Sequence, residues 1–137
     1  MMNDFMKIEH VAIWTEDLEK LKVYYETFFG AQANELYVNP KTGFRSYFLS
    51  FETGARLELM QRPDIPKNEN DRKYKQHLGI IHLAFVVQFK ADVDKKAEEL
   101  QKAGFEILRG PRTTGDGYYE FETLDPDGNR LEVIYSE

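Results

Sequence analysis

Two histidines and two glutamates recur in matched settings along this chain, and together they could hold a divalent cation. His10 lies in Ile8-Glu9-His10-Val11-Ala12-Ile13, a pattern that returns as Ile80-Ile81-His82-Leu83-Ala84-Phe85. Glu58 lies in Arg56-Leu57-Glu58-Leu59-Met60, which returns as Arg130-Leu131-Glu132-Val133-Ile134. The separations His10 to Glu58 and His82 to Glu132 are nearly equal. Any one of these side chains alone would be read as solvent-facing or as part of a polar network. Repetition changes that reading, because His and Glu are poor packing residues in a sheet and both occur twice. Imidazole and carboxylate suit borderline divalent ions such as Zn, Ni, Co, Mn or Fe(II), and a chain with no cysteine offers no soft thiolate. The ligand set does not choose among these metals. Four protein ligands on an ion that accepts five or six leave positions for water or substrate, which Lewis-acid catalysis requires.

The elements that must position these residues are legible from their periodicity. Residues 7–14 alternate and predict a strand with His10, Ala12 and Trp14 on one face. Thr15-Glu16-Asp17 predicts a helix start, Leu18, Leu21, Tyr25 and Phe28 follow at helical spacing, and Gly30 ends the helix. Three strands are expected near 33–39, 44–51 and 55–61, between turns at Asn39-Pro40-Lys41-Thr42-Gly43 and Glu52-Thr53-Gly54. The pattern restarts as a strand at 80–87, a helical stripe of Val93, Ala97 and Leu100 stopping at Gly104, and strands at 105–108, 118–123 and 130–135. Both halves therefore read β-α-β-β-β, an α+β chain forming one domain over residues 1–137, with modules of about 7–61 and 80–136 and a linker at 62–79. His10 and Glu58 come from different strands, so they converge only if those strands lie in one curved sheet.

Composition narrows the function classes. A chain of 137 residues suits one core, and 42% apolar with 31% charged residues is a globular balance. A net charge of −6 with scattered basic residues argues against nucleic acid or an anionic membrane surface as partner. No apolar run approaches the ~20 residues needed to span a bilayer, and the first residues lack a signal-peptide layout. The expectation is a cytoplasmic protein acting on a small molecule.

The paired motifs, together with Asp125-Pro126-Asp127-Gly128-Asn129-Arg130-Leu131-Glu132, resemble the vicinal oxygen chelate superfamily, the group of glyoxalase I, the bleomycin-resistance proteins and certain dioxygenases. The resemblance runs from about residue 7 to residue 135. It implies a glyoxalase-like fold of two tandem βαβββ modules forming cupped mixed sheets, with a metal in the cleft between paired modules drawn from one chain or two. Members of this size are commonly homodimers. In metal-dependent members the ligands occupy the positions of His10, Glu58, His82 and Glu132, whereas metal-free drug-binding members lack this set. The implied activity is that of a lyase or isomerase of the lactoylglutathione lyase type, acting on a small carbonyl compound through a metal-stabilised enediolate. Glu132 is then the first choice for the catalytic base and Glu58 the pseudo-symmetric alternative.

Departures from the glyoxalase I pattern bear on the substrate. An Arg expected four residues after the first His is Trp14, and an Asn expected four residues after the first Glu is Arg62. Trp14 presents an aromatic wall to the cleft or packs in the core. Pro111 to Tyr119 resembles a segment of small glyoxalase-like members and reads as a flexible loop from which Tyr118 or Tyr119 could reach a substrate, while Arg45 is a candidate for holding an anionic group. His77 reads as a surface residue. Coenzyme A epimerases of this fold typically carry Gln at the Glu58 position, and fosfomycin-modifying enzymes use two His and one Glu. The reading from a different class is a metal-free protein that sequesters a drug or aromatic ligand.

Overall fold

The computed structural model describes residues 4–137, in two compact units that divide between Lys67 and Asn68. The first unit carries β1 (His10–Trp14), α1 (Leu18–Phe29), β2 (Gln32–Ala33), β3 (Tyr37–Asn39), β4 (Phe44–Ser50) and β5 (Arg56–Gln61). Its sheet runs β1-β5-β4-β2, with β3 also paired to β4. β1 lies parallel to β5, with Ala12 opposite Glu58, while β4 is antiparallel to β5, with Phe48 opposite Glu58. Glu58 is thus a central-strand residue flanked on both sides.

The helix begins where expected. Asp17 caps it by accepting from the Lys20 N–H at 3.1 Å, and the Gln61 side chain accepts from the Leu18 N–H at 2.9 Å, tying the helix start to the end of β5. Gly30 closes it in the left-handed conformation at φ 68°, a cost-free choice only for a residue without Cβ. Leu18, Leu21 and Tyr25 are buried, as are Leu49, Leu57 and Leu59 of the sheet. Each such leucine contributes about 2 kcal/mol on leaving water. Alternation along β5 then fixes the other face: with Leu57 and Leu59 against the helix, Arg56, Glu58 and Met60 point away from it.

The strand expected at 33–39 is two short ones. Asn34 accounts for the break, since its side-chain oxygen takes the Phe48 N–H at 2.8 Å while its own N–H donates to the Phe48 carbonyl at 3.0 Å. A side chain replaces a ladder bond and the chain bends.

The second unit repeats the topology with β6 (His82–Val86), α2 (Lys90–Lys102), β7 (Ile107–Thr113), β8 (Tyr119–Leu124) and β9 (Arg130–Tyr135), in the order β6-β9-β8-β7. β6 is parallel to β9, with His82 opposite Arg130 and Ala84 opposite Glu132. Val93, Ala97 and Leu100 of α2 are buried, with Phe121, Leu131 and Val133 of the sheet. β9 is placed by the preceding turn: the Asp125 carboxylate accepts from the Asp127 and Asn129 backbone N–H groups, both at 2.9 Å, and from the Asn129 side-chain amide at 2.8 Å.

β7 extends further than expected, through Pro111 to Thr113, leaving only residues 114–118 as a loop, closed by the Thr114 N–H donating to the Tyr118 carbonyl at 2.8 Å. Gly110 makes the extension possible. Its φ is 83°, and a Cβ there would stand 2.5 Å from the Glu120 carbonyl oxygen, so β7 passes closer to β8 than any other residue allows. Among the described residues no helix is long and apolar enough to cross a membrane.

Candidate metal centre

In each unit the His and Glu singled out from the sequence meet on the sheet face turned away from the helix. His10 Nε2 lies 3.6 Å from Glu58 Oε1, and His82 Nε2 lies 3.2 Å from Glu132 Oε1. Parallel pairing produces both contacts. His10 sits two residues before Ala12, the register partner of Glu58, and His82 two residues before Ala84, the partner of Glu132, so each imidazole leans diagonally over a same-face neighbour.

The surroundings of the two pairs differ. Beside the first stand an ion pair and a ring. Arg56 donates from Nη2 and Nε to the two oxygens of Glu9 at 2.6 and 3.0 Å, and its guanidinium stacks 4.2 Å over the Phe48 ring. Glu9 Oε1 also contacts His10 Nδ1 at 2.9 Å. Its carboxyl is held down to about 2, chiefly by the Arg56 hydrogen bonds and then by His10, so it is ionised and can accept a hydrogen bond from Nδ1–H. An acceptor at Nδ1 is the arrangement that orients an imidazole to ligate a metal through Nε2, the nitrogen nearest Glu58. Glu9 was not foreseen as functional, because its counterpart in the repeat is Ile81.

Beside the second pair stand further carboxylates. Glu122 on β8 is opposite Glu132 on β9, and His82, Glu122 and Glu132 each offer a ligand atom within 4.8 Å of the others. Glu122 also meets Arg109 Nε at 3.1 Å and Arg130 Nη1 at 3.4 Å. Glu132 is pushed up to about 7 by burial first, then by a hydrogen bond with Glu120 and the charges of Glu120, Glu122 and Asp116. Glu122 and Glu120 were missed because the position matching Glu122 in the first unit, by register, is Phe48, and the one matching Glu120 is Ser46. The available signal was local: Glu120 and Glu122 are two apart in an alternating strand and must share a face.

The remaining sequence candidates divide. Trp14 lies on the His10 face and is 39% exposed, with Phe44 edge-on at 6.0 Å and the Arg62 guanidinium 5.2 Å from its ring. The residues at the two positions that depart from the glyoxalase I pattern therefore touch each other, and a cation does stand beside Trp14. Arg45 is elsewhere: its register partner is Gln61, so it shares the helix-side face with Tyr47 and Leu49. Tyr119 is also on the helix side, its hydroxyl donating to Asp94 at 2.6 Å and its ring under Lys90. Tyr118 is half-buried in the 114–118 loop.

Comparison with known proteins agrees with this architecture. The model of the Glyoxalase/Bleomycin resistance protein/Dioxygenase superfamily matches residues 7–133. The uncharacterised protein YwkD of Bacillus subtilis is 31% identical over 128 residues, 92% of this chain and 94% of that protein. A lactoylglutathione lyase of Haemophilus influenzae is 27% identical over 134 residues, 94% of this chain and 92% of that one. The crystal structure of a glyoxalase family protein from Enterococcus faecalis superposes with a TM-score of 0.75 at 25% identity, covering 95% of this chain and 98% of that one. On sequence and on fold alike, the chain belongs to the glyoxalase/bleomycin resistance protein/dioxygenase superfamily.

Proposed function

We propose that this chain is a divalent-metal-dependent, glyoxalase-like lyase or isomerase acting on a small carbonyl compound, working as a cytoplasmic homodimer. The observation that carries the reading is the gathering of His82, Glu122 and Glu132 ligand atoms within 4.8 Å on one open sheet face. The donor chemistry fits a borderline divalent ion, all nitrogen and carboxylate oxygen with no sulfur. Each repeat brings one His–Glu pair, and we assign His10, Glu58, His82 and Glu132 as metal ligands. Bound there, Ni, Co, Zn, Mn or Fe would supply a Lewis acid that polarises the substrate carbonyl and favours negative charge on its oxygen.

Glu132 is the base in this scheme. It takes the proton from the carbon next to the carbonyl and returns it to the neighbouring carbon. In the metal-free protein burial and the neighbouring acids push this carboxyl up to about 7, which makes it a stronger proton acceptor than an ordinary carboxylate. Glu120, hydrogen-bonded to it, positions it, and Arg109 and Arg130 hold Glu122 in place. Glu9 orients His10. The likeness to a lactoylglutathione lyase supports this reaction class, while Trp14 and Arg62 argue for a thiol partner other than glutathione.

The first test is elemental analysis of protein purified without chelator, against a His10→Ala, His82→Ala double variant. One divalent ion per site in the wild type and none in the variant is expected, followed by turnover of 2-oxoaldehydes with one of several thiols, abolished in Glu132→Gln. Absence of bound metal after reconstitution with Ni, Co, Mn and Zn would refute the reading. A second reading, a protein that sequesters an aromatic ligand, is favoured by the exposed Trp14 beside Phe44. It predicts ligand affinity that chelator leaves unchanged.

A further inference from the structure

Within the second unit, the segment from Asn68 to Ile81 lies against Arg130 and lines a cavity of about 180 Å³, open to solvent at Leu78 and Ile80. The volume holds several waters, since each occupies ~30 Å³, yet falls below the ~300 Å³ at which drug-sized ligands are bound. What fits is a small ion or the end group of a larger molecule. Arg72, Lys75, Arg130, His77, Asn68 and Asn70 supply its polar lining, and none of the described residues lining it is acidic. In a chain of net charge −6, Arg72, Lys75 and Arg130 around one small volume, with Arg130 also paired to Glu122, mark a place where an anion would be drawn.

Arg130 makes the cavity more than a basic surface. Its side chain is only 4% exposed, and two of its three nitrogens are engaged: Nη1 meets Glu122 Oε2 at 3.4 Å, and Nη2 donates to the carbonyls of Arg72 and Lys73 at 3.0 and 3.3 Å. Nε is buried and has no hydrogen-bond acceptor. Arg130 thus brings to the cavity wall a guanidinium whose hydrogen-bonding capacity is not fully used. The Arg72 guanidinium is held beside it by Asn129 Oδ1. Lys75 and His77, both exposed, line the same cavity, and the Asn68 and Asn70 amides add neutral donors. Donors on several residues around a small volume suit an anion with acceptors on all sides, which a tetrahedral phosphate has and a planar carboxylate lacks.

We infer that this cavity binds a phosphate group, free or as the terminus of a small phosphorylated compound. The site is separate from the ligands assigned above, although Arg130 pairs in register with His82 and shares a face with Glu132, so a phosphorylated ligand held there would extend toward that pair.

The test uses the full chain after chelator treatment, so that phosphate cannot bind through a metal. Amide NMR spectra are recorded during titration with inorganic phosphate and, separately, glycerol phosphate, with sodium chloride at matched ionic strength as control. Saturable shifts centred on residues 68–81 and Arg130 with phosphate and not chloride are expected, and Lys75→Glu, at an exposed position, weakens binding about tenfold or more. Tighter binding of glycerol phosphate identifies a phosphate ester as the ligand, and equal binding identifies free phosphate. No phosphate-specific shift in either titration, or affinity unchanged in Lys75→Glu, overturns the inference whatever the metal analysis gives.

Discussion

In the metal-free protein Glu132 is expected to titrate near neutrality. Burial, the Glu120 hydrogen bond and the neighbouring acids push it from the ordinary 4.5 to about 7. At pH 6 such a group holds its proton in roughly nine molecules of ten, where an ordinary carboxyl does so in roughly one of thirty. Between about pH 4.5 and about pH 7 the folded chain therefore binds more protons than the unfolded one. The stabilisation from Glu132 is fully present below about 4.5 and is lost as pH rises to about 7. The whole shift corresponds to about 3 kcal/mol, reduced to about 1–2 kcal/mol by the solvent that reaches the carboxylate. A bound divalent ion acts in the opposite direction, because it must displace that proton. Through this ligand alone, affinity rises roughly fivefold from pH 6 to pH 7 and by less than about twofold from pH 7 to pH 8. The assay is carbon-13 NMR of the glutamate carboxyls in chelator-treated protein, with Glu132 assigned from the signal lost in Glu132→Gln, alongside metal affinity at each pH. Glu120→Gln is expected to move the midpoint down. A folded-state midpoint near 4.5, or one that Glu120→Gln leaves in place, would refute the electrostatic account.

Glu9→Gln removes the charge that holds the His10 Nδ1 proton, so metal affinity is expected to fall about tenfold in competition with a chromophoric chelator. The metal-free melting temperature should barely move, because Glu9 is exposed. Asp125→Ala strips acceptors from three N–H donors in the turn before β9 and is expected to cost about 2–3 kcal/mol in urea denaturation. Unchanged stability would show that the turn does not depend on this carboxylate. Gly110→Ala places a Cβ against the Glu120 carbonyl at a positive φ, and a loss of about 2 kcal/mol or more is expected by the same measurement.

Much of the fold was legible because its signals are local. Helix stripes, capping residues and the alternation of Arg-Leu-Glu strands are readable without knowing any neighbour, and the duplication paired the strands that carry His and Glu. Arg45 and Tyr119 show where such reading stops. Which face a strand residue takes depends on its register with the next strand, and a slip of one residue would exchange the faces. Arg45 opposite Gln61 and Tyr119 opposite Tyr135 both fall on the helix side, a fact that spacing within their own strands does not contain. Spacing alone reads the Pro111–Thr113 stretch as loop for a similar reason, since the device that keeps it in the sheet is the close approach of Gly110 to a neighbouring strand.

Reasoning from a duplication also finds only what the copies share, whereas chemistry needs what they do not. The His–Glu pair is common to both units and suits holding an ion, a task that can be divided equally. Moving a proton requires one carboxylate to differ from the other. Glu58 has a cation, Arg56, and the Phe48 ring for company, while Glu132 has Glu120 and Glu122. A carboxylate crowded by like charges is held toward its protonated form. The unshared residues, Glu120 and Glu122 against Ser46 and Phe48, therefore favour Glu132 over Glu58 as the base, a choice that the repeated motifs alone leave open.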